Sequence, residues 1–219
     1  MAAERAVRDR IAGLYVVLDA QPHRGRAPQE IAAAALEGGA RMIQLREKVL
    51  EKGLVLPLAR QLKAFCAAHG ALFIVNDHVD LALVCGAHGV HVGQKDLPVA
   101  EVRRLLPDAG VVGTSTNNLQ EALAGERAGA DYVAVGSIFP TSTKGDTRPA
   151  SPALLREVKS RLSVPVVAIG GINERNIEQV LEAGADAVAV ISAVVEADDI
   201  AAAAARLAQH IAGFKKTRG

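Results

Sequence analysis

Two carboxylates, Asp77 and Asp96, follow two successive apolar runs, 72–75 and 90–92, and two cations, Arg46 and Lys48, follow the run before them. If those runs are neighbouring strands, the two acids converge at one end of a sheet. Mg²⁺ typically takes one or two carboxylates and fills its other octahedral positions with water and substrate phosphate oxygens. A third cation, Lys144, ends the Pro-bounded loop Gly136-Ser137-Ile138-Phe139-Pro140-Thr141-Ser142-Thr143-Lys144. Hydroxyls, open backbone N–H groups and a fixed cation suit an oxygen-rich anion. Either acid alone reads more simply as a helix N-cap, and a polar loop alone as a solvated connection. Together, three cations around two acids form the charge pattern that a metal-bound diphosphate, with its excess negative charge, requires.

What must position these groups is a repeating unit: a helix-like segment, a Gly-Ala pair, then a short apolar run. Gly39-Ala40, Gly70-Ala71, Gly86-Ala87, Gly129-Ala130 and Gly184-Ala185 all follow this pattern. A glycine there lets a left-handed residue end the helix and turn the chain back towards the sheet. Strands are expected over 14–18, 42–45, 72–75, 90–92, 111–114, 132–135, 166–169 and 187–190. Helices are expected over 28–37, 52–69, 79–85, 98–106, 118–128, 152–161, 174–183 and 199–212, with Ser151 and Asn173 as start signals. Residues 214–219 read as a frayed basic tail. Eight strands alternating with eight helices predict an α/β fold, a (β/α)₈ TIM barrel of eight parallel strands surrounded by helices, spanning 1–219 as one domain. An open doubly wound sheet is the weaker alternative, since Asp19-Ala20-Gln21-Pro22 stands where a glycine-rich fingerprint would follow the first strand.

In such a barrel the chemistry lies at the C-terminal ends of the strands. Loops after seven of them carry polar or glycine groups, including Asn76-Asp77, Thr114-Ser115-Thr116-Asn117, Gly170-Gly171 and Ile191-Ser192. The last two pairs follow strands seven and eight, where this fold commonly holds phosphate on bare backbone N–H groups. Two anion sites, one metal-assisted and cationic and one neutral, imply two phosphorylated substrates. His88 and His91 have superficial metal spacing, but residues i and i+3 of a strand point to opposite faces, which argues against zinc. His23, His69, His78 and His210 are isolated, and Glu47 reads as a charge partner between Arg46 and Lys48.

Composition narrows the classes further. Half of the 219 residues are hydrophobic, with four Phe, two Tyr and no Trp, so the core is built from Ala, Val, Leu and Ile, as in doubly covered parallel sheets. A net charge of +1 gives no general reason to expect nucleic acid or an anionic membrane as partner. Cys66 and Cys85 lack metal or disulfide spacing, the start lacks an apolar signal, and no run approaches the ~20 residues that span a bilayer. The expectation is a soluble cytoplasmic protein.

The motifs Gln44-Leu45-Arg46-Glu47-Lys48, Ile74-Val75-Asn76-Asp77, Gly89-Val90-His91-Val92-Gly93-Gln94-Lys95-Asp96, 136–144 and Ala168-Ile169-Gly170-Gly171-Ile172 resemble, in order, those of thiamine phosphate synthases. The resemblance covers residues from roughly 14 to 192 and is specific as a set. It implies condensation of a hydroxymethylpyrimidine diphosphate with a hydroxyethylthiazole phosphate, through dissociative loss of diphosphate assisted by one Mg²⁺. By position it implies that Asp77 and Asp96 hold Mg²⁺, and that Arg46, Lys48, Ser115 and Lys144 contact the diphosphate as catalytic groups. Gln44 and Asn76 would place the pyrimidine, Thr141 and Thr143 the thiazole, and Gly171, Ile191 and Ser192 its phosphate.

Two positions depart from the pattern. Asn117 stands where the family often has His, and Gly145 where Pro is common. A thiazole tautomerase on the same barrel would rely on a histidine at the Asn117 position. A sugar-phosphate isomerase would need an acid–base pair inside the barrel. A silent thiamine phosphate-binding barrel is the non-enzymatic alternative. The oligomeric state stays open, a homo-oligomer included, and the loops 48–53 and 143–149 are the candidates for closing over substrate.

Overall fold

The computed structural model describes residues 9–106, 110–141 and 149–216. Eight parallel strands close on themselves in sequence order: β1 (Gly13–Asp19), β2 (Met42–Arg46), β3 (Leu72–Asn76), β4 (Gly89–Val92), β5 (Val111–Thr116), β6 (Tyr132–Val135), β7 (Val166–Ile169) and β8 (Ala187–Val190). The closure is the β1–β8 ladder, with Leu14 opposite Val188 and Val16 opposite Val190. The expected (β/α)₈ barrel is therefore what the sequence folds into.

Strand alternation divides the core in two. Leu14, Val16, Ile43, Phe73 and Val75 point outward and pack under the helices, while Tyr15, Met42, Leu72, Ile74 and Tyr132 point into the barrel. The five Gly-Ala turns behave as their type requires: Gly39, Gly70, Gly86, Gly129 and Gly184 all have positive φ, between 65° and 95°. Two of these turns continue into an aspartate that ties neighbouring units together. Asp131 accepts the Val112 N–H at 2.8 Å and pairs with Arg103; Asp186 accepts the Val166 N–H at 2.7 Å and pairs with Lys159.

Helix starts follow local side-chain chemistry. Ser151 Oγ accepts the Leu154 N–H at 3.1 Å, and Asn118 accepts the Glu121 N–H at 2.9 Å, capping Pro152–Arg161 and Leu119–Arg127. Three expectations change. Asn173 does not cap a helix: its Oδ1 accepts the Arg175 N–H at 2.9 Å while its own N–H bonds Asn176 Oδ1 at 2.8 Å. That local turn competes with the helix, which opens only at Ile177 (Ile177–Glu182). An additional single-turn helix, Ser192–Val195, follows β8. The last helix, Ile200–Lys216, runs into the stretch read as a frayed tail as far as Lys216, with Phe214 packed onto the core.

Candidate active site

The C-terminal ends of β1–β5 gather the charged groups. Asn76, the last residue of β3, lies beside His91 of β4, so the residues that follow come together. Asp77 is one of two non-glycine residues with positive φ, at 61°, among the described residues. That backbone turns its carboxyl group towards Asp96 rather than onto the following helix. The helix Val79–Cys85 starts without a side-chain cap, so the N-cap reading fails for Asp77. It fails for Asp96 too, whose Oδ2 accepts the Gly93 N–H at 2.8 Å.

Asp77 receives three contacts: an ion pair from Lys48, a hydrogen bond from Asn76 Nδ2 at 2.6 Å, and a carboxyl–carboxyl contact with Asp96. Burial raises the Asp77 pKa above the ordinary carboxylate range; Asp96 adds to the rise and Lys48 opposes it. Burial would raise Asp96 as well, but the hydrogen bond from Asp77 and the Gly93 N–H outweigh it and hold Asp96 low. The two carboxyl groups are thus driven apart in acidity, Asp77 upward and Asp96 downward. Facing carboxylates held this way are a donor set that suits a hard divalent cation, whose binding would offset their mutual repulsion. Among the described residues there is no cluster of three or more His, Cys, Asp or Glu that could hold a metal.

Arg46, at the end of β2, donates to Asp19 Oδ1 at 2.9 Å, a partner at the end of β1 that the sequence reading did not single out. Glu47 is corrected from charge partner to loop anchor. It is buried, and its carboxylate accepts the N–H groups of Val49 and Leu50, the latter at 2.6 Å. Burial would raise its pKa, but the amides of Val49, Leu50 and Lys48 outweigh that and lower it. A cavity of about 340 Å³ opens beside these groups, walled by Asp19, Arg46, Lys48, Val49, Ile191 and Glu196.

Inside the barrel, polar side chains form a continuous hydrogen-bonded series. Gln44 Nε2 donates to Tyr15 Oη at 2.6 Å; the Tyr15 and Tyr132 hydroxyls are 3.0 Å apart; Tyr132 Oη meets His91 Nδ1 at 3.0 Å; and His91 Nε2 meets Ser115 Oγ at 2.8 Å. Two of these are expected site residues, Gln44 and Ser115, buried and half-buried respectively. The middle three were missed. Their signal is a polar residue at an inward position of an otherwise apolar strand, as in Val90-His91-Val92. His88, by contrast, sits at the opposite end of its strand, where its Nδ1 accepts the Phe73 N–H at 2.9 Å. Room for the series comes from Gly113, where a Cβ would stand 2.0 Å from the Tyr132 ring.

On the far rim, the segment after β6 is stitched to β7: Ile138 N–H bonds Ile169 O and Phe139 N–H bonds Gly170 O, both at 3.0 Å. The Ala150 N–H returns to Ser137 O at 2.8 Å. Gly170 and Gly171 have positive φ, 103° and 65°, and a Cβ on either would meet Ser137 or Pro140 within 2.6 Å. The glycines are therefore required by that close crossing. Gly171, Ile191 and Ser192 all lie half-buried at this rim, with Thr141 at the end of the described loop. Asn117 donates to Gly136 O, tying β5 to β6. Thr143, Lys144 and Gly145 lie outside the described residues.

A closed parallel barrel with acids, cations and a glycine-lined rim at one mouth defines a phosphate-handling (β/α)₈ protein. A family model described as thiamine monophosphate synthase matches residues 14–194, and the chain belongs to that family. The thiamine-phosphate synthase of Shouchella clausii is 49% identical over 195 residues, covering 89% of this chain and 93% of that one. That of Methanospirillum hungatei is 45% identical over 197 residues, covering 90% and 96%. The solved thiamine phosphate pyrophosphorylase of Pyrococcus furiosus superposes with a TM-score of 0.87 at 37% identity, covering 97% of this chain and all 100% of that one.

Proposed function

We propose that the chain is a thiamine-phosphate synthase that joins 4-amino-2-methyl-5-hydroxymethylpyrimidine diphosphate to 4-methyl-5-(2-hydroxyethyl)thiazole phosphate, or its carboxylated form. Thiamine phosphate and diphosphate are the products. The observation that carries the reading is the Asp77–Asp96 pair with Lys48 and Arg46 at the barrel mouth. It is supported by relatives such as the Shouchella clausii synthase, 49% identical over 195 residues.

In the first step the bond between the exocyclic methylene carbon and the diphosphate oxygen breaks, and its electron pair leaves with the diphosphate. The pyrimidine's electron-rich ring stabilises the cation left behind. The thiazole nitrogen then gives its lone pair to that carbon. No general base is required, so the residues act by charge and position. Arg46, Lys48 and Ser115 are assigned to the diphosphate, with Lys144 joining them by its place in the sequence. Gln44 and Asn76 orient the pyrimidine. Thr141 is assigned to the thiazole, with Thr143 joining it by its place in the sequence, and Gly171, Ile191 and Ser192 to its phosphate. Asp77 and Asp96 would hold Mg²⁺, which when bound supplies Lewis-acid charge to the leaving group.

A cytoplasmic setting goes with this reading and suits two buried, unpaired thiols, Cys66 and Cys85. Among the described residues no helix is long and apolar enough to cross a membrane. Diphosphate release from the pyrimidine diphosphate, assayed with and without the thiazole phosphate, in Mg²⁺ and in EDTA, tests the assignment. Release that needs both partner and metal, and is lost in Asp77→Ala, is expected; release of none under any combination would overturn it.

A further inference from the structure

We infer that Gln44 and Ser115 are coupled by a one-way hydrogen-bond chain through Tyr15, Tyr132 and His91, and that this chain fixes Ser115 as a donor towards the substrate. The role assigned to Ser115 rests on the synthase reading, but the direction of the chain does not.

The direction follows from counting donors and acceptors. With its amide nitrogen facing Tyr15, Gln44 donates to that hydroxyl. The Tyr15 ring is fully buried, and Tyr132 is its other hydroxyl partner, so the Tyr15 O–H donates to Tyr132 Oη. The Tyr132 O–H must then donate onward, to His91 Nδ1. A nitrogen that accepts is unprotonated, which places the proton of the neutral ring on Nε2. That N–H donates to Ser115 Oγ, whose own O–H is left to point at the barrel mouth. A phosphate oxygen can only accept, so this is the polarity that a diphosphate site needs.

Turned round, the same five groups would send the Ser115 O–H into His91 and leave only lone pairs for the substrate. Which polarity holds is decided at the far end, by whether Gln44 presents its N–H or its carbonyl to Tyr15. Both phenols stay protonated, since burial drives their pKa values far up. His91 is held against Tyr132 by stacking, with centroids 5.5 Å apart and planes at 25°, so its ring does not choose freely. Tyr15, Tyr132 and His91 are thus positioning residues, and Gln44 sets their sense.

The test is the His91 tautomer, read by ¹⁵N NMR of imidazole-labelled protein and assigned by the signal lost in His91→Gln. The wild type should show protonated Nε2 and bare Nδ1. In Gln44→Glu the carboxylate can only accept, so the chain reverses and Nδ1 becomes protonated. In Tyr132→Phe the chain is cut, and adding Gln44→Glu to that variant should no longer move the tautomer. Turnover of Tyr132→Phe should fall about tenfold in kcat with KM changed less than twofold, the signature of an interaction felt in the transition state. A wild-type ring protonated on Nδ1, or a Gln44→Glu ring that keeps Nδ1 bare, would overturn the inference even in a fully active synthase.

Discussion

The carboxyl groups of Asp77 and Asp96 meet across the ends of β3 and β4, with Lys48 paired to Asp77 Oδ2. Because Asp77 has its pKa raised, its protonated form contributes stability below the ordinary value of 3.8, and that contribution is lost as pH rises through the raised folded value. Above that point both carboxyl groups are charged, and a bound divalent cation would relieve their repulsion. The rise in melting temperature on adding Mg²⁺ should therefore grow as pH rises from below 3.8 through the raised folded value, as measured by calorimetry across a pH series.

Asp77→Asn should behave differently from other changes at the same position. Asn tolerates the left-handed backbone that Asp77 adopts at φ 61°, and its amide mimics the protonated acid. Metal-free stability at pH 8 should be unchanged or higher, while the response to Mg²⁺ and diphosphate release are lost. Asp77→Val, strained at that φ, should also lower stability by roughly 1–2 kcal/mol. Parallel melting curves with and without metal separate the two.

Glu47→Gln should loosen the β2 loop. The buried carboxylate holds the amides of Val49 and Leu50, and a charged acceptor replaced by a neutral one weakens those bonds by about 1–2 kcal/mol. With its pKa lowered, Glu47 contributes stability above the unfolded value of about 4.5, lost as pH falls through the lower folded value. The variant should match wild type only in strong acid. At neutral pH, KM for the pyrimidine diphosphate should rise, since Arg46 and Lys48 flank the anchor.

Gly113→Ala should damage both stability and turnover. Its Cβ would fall 2.0 Å from Tyr132 Cζ, so the ring must move. Overpacking of this kind is expected to cost about 2 kcal/mol, and the displaced hydroxyl breaks the hydrogen bond to His91. Chemical denaturation and steady-state kinetics would show both losses.

Asp131→Ala should do the opposite, lowering stability but sparing chemistry. Asp131 satisfies the Val112 N–H and Arg103 at the N-terminal end of the barrel, away from the site. Removing it leaves the buried Val112 N–H without its acceptor and Arg103 without its carboxylate, holding only the Gly110 and Gly129 carbonyls, an effect of roughly 3 kcal/mol, or a melting point lower by about 10 °C. Activity well below that temperature should be within twofold of wild type.

The barrel was readable because its signals are local: short apolar runs, and glycines such as Gly129 and Gly184 whose positive φ marks each return to the sheet. The acid pair was readable because one strand end predicts the next. Other features depend on partners distant in sequence. Tyr15 and Tyr132 are 117 residues apart, and neither residue type at its position announces the other. Glu47 looked like a charge among charges because nothing in Arg46-Glu47-Lys48 shows which of the three turns inward. The late start at Ile177 reflects competition between two asparagines and the helix, which propensity alone does not decide.

The clasp between Ser137 O and Ala150 N, closed at 2.8 Å, separates the barrel's architecture from whatever the chain between them does. With its base pinned to β7 on one side and to the start of Pro152–Arg161 on the other, that connection can change length without re-registering a strand. Doubling a loop adds only about 0.6 kcal/mol of closure entropy. This is the place where the scaffold can be re-purposed: extra residues inserted after Lys144 would meet a new second substrate while Lys144 keeps its place in the sequence and the leaving-group residues on β2–β5 stay as they are.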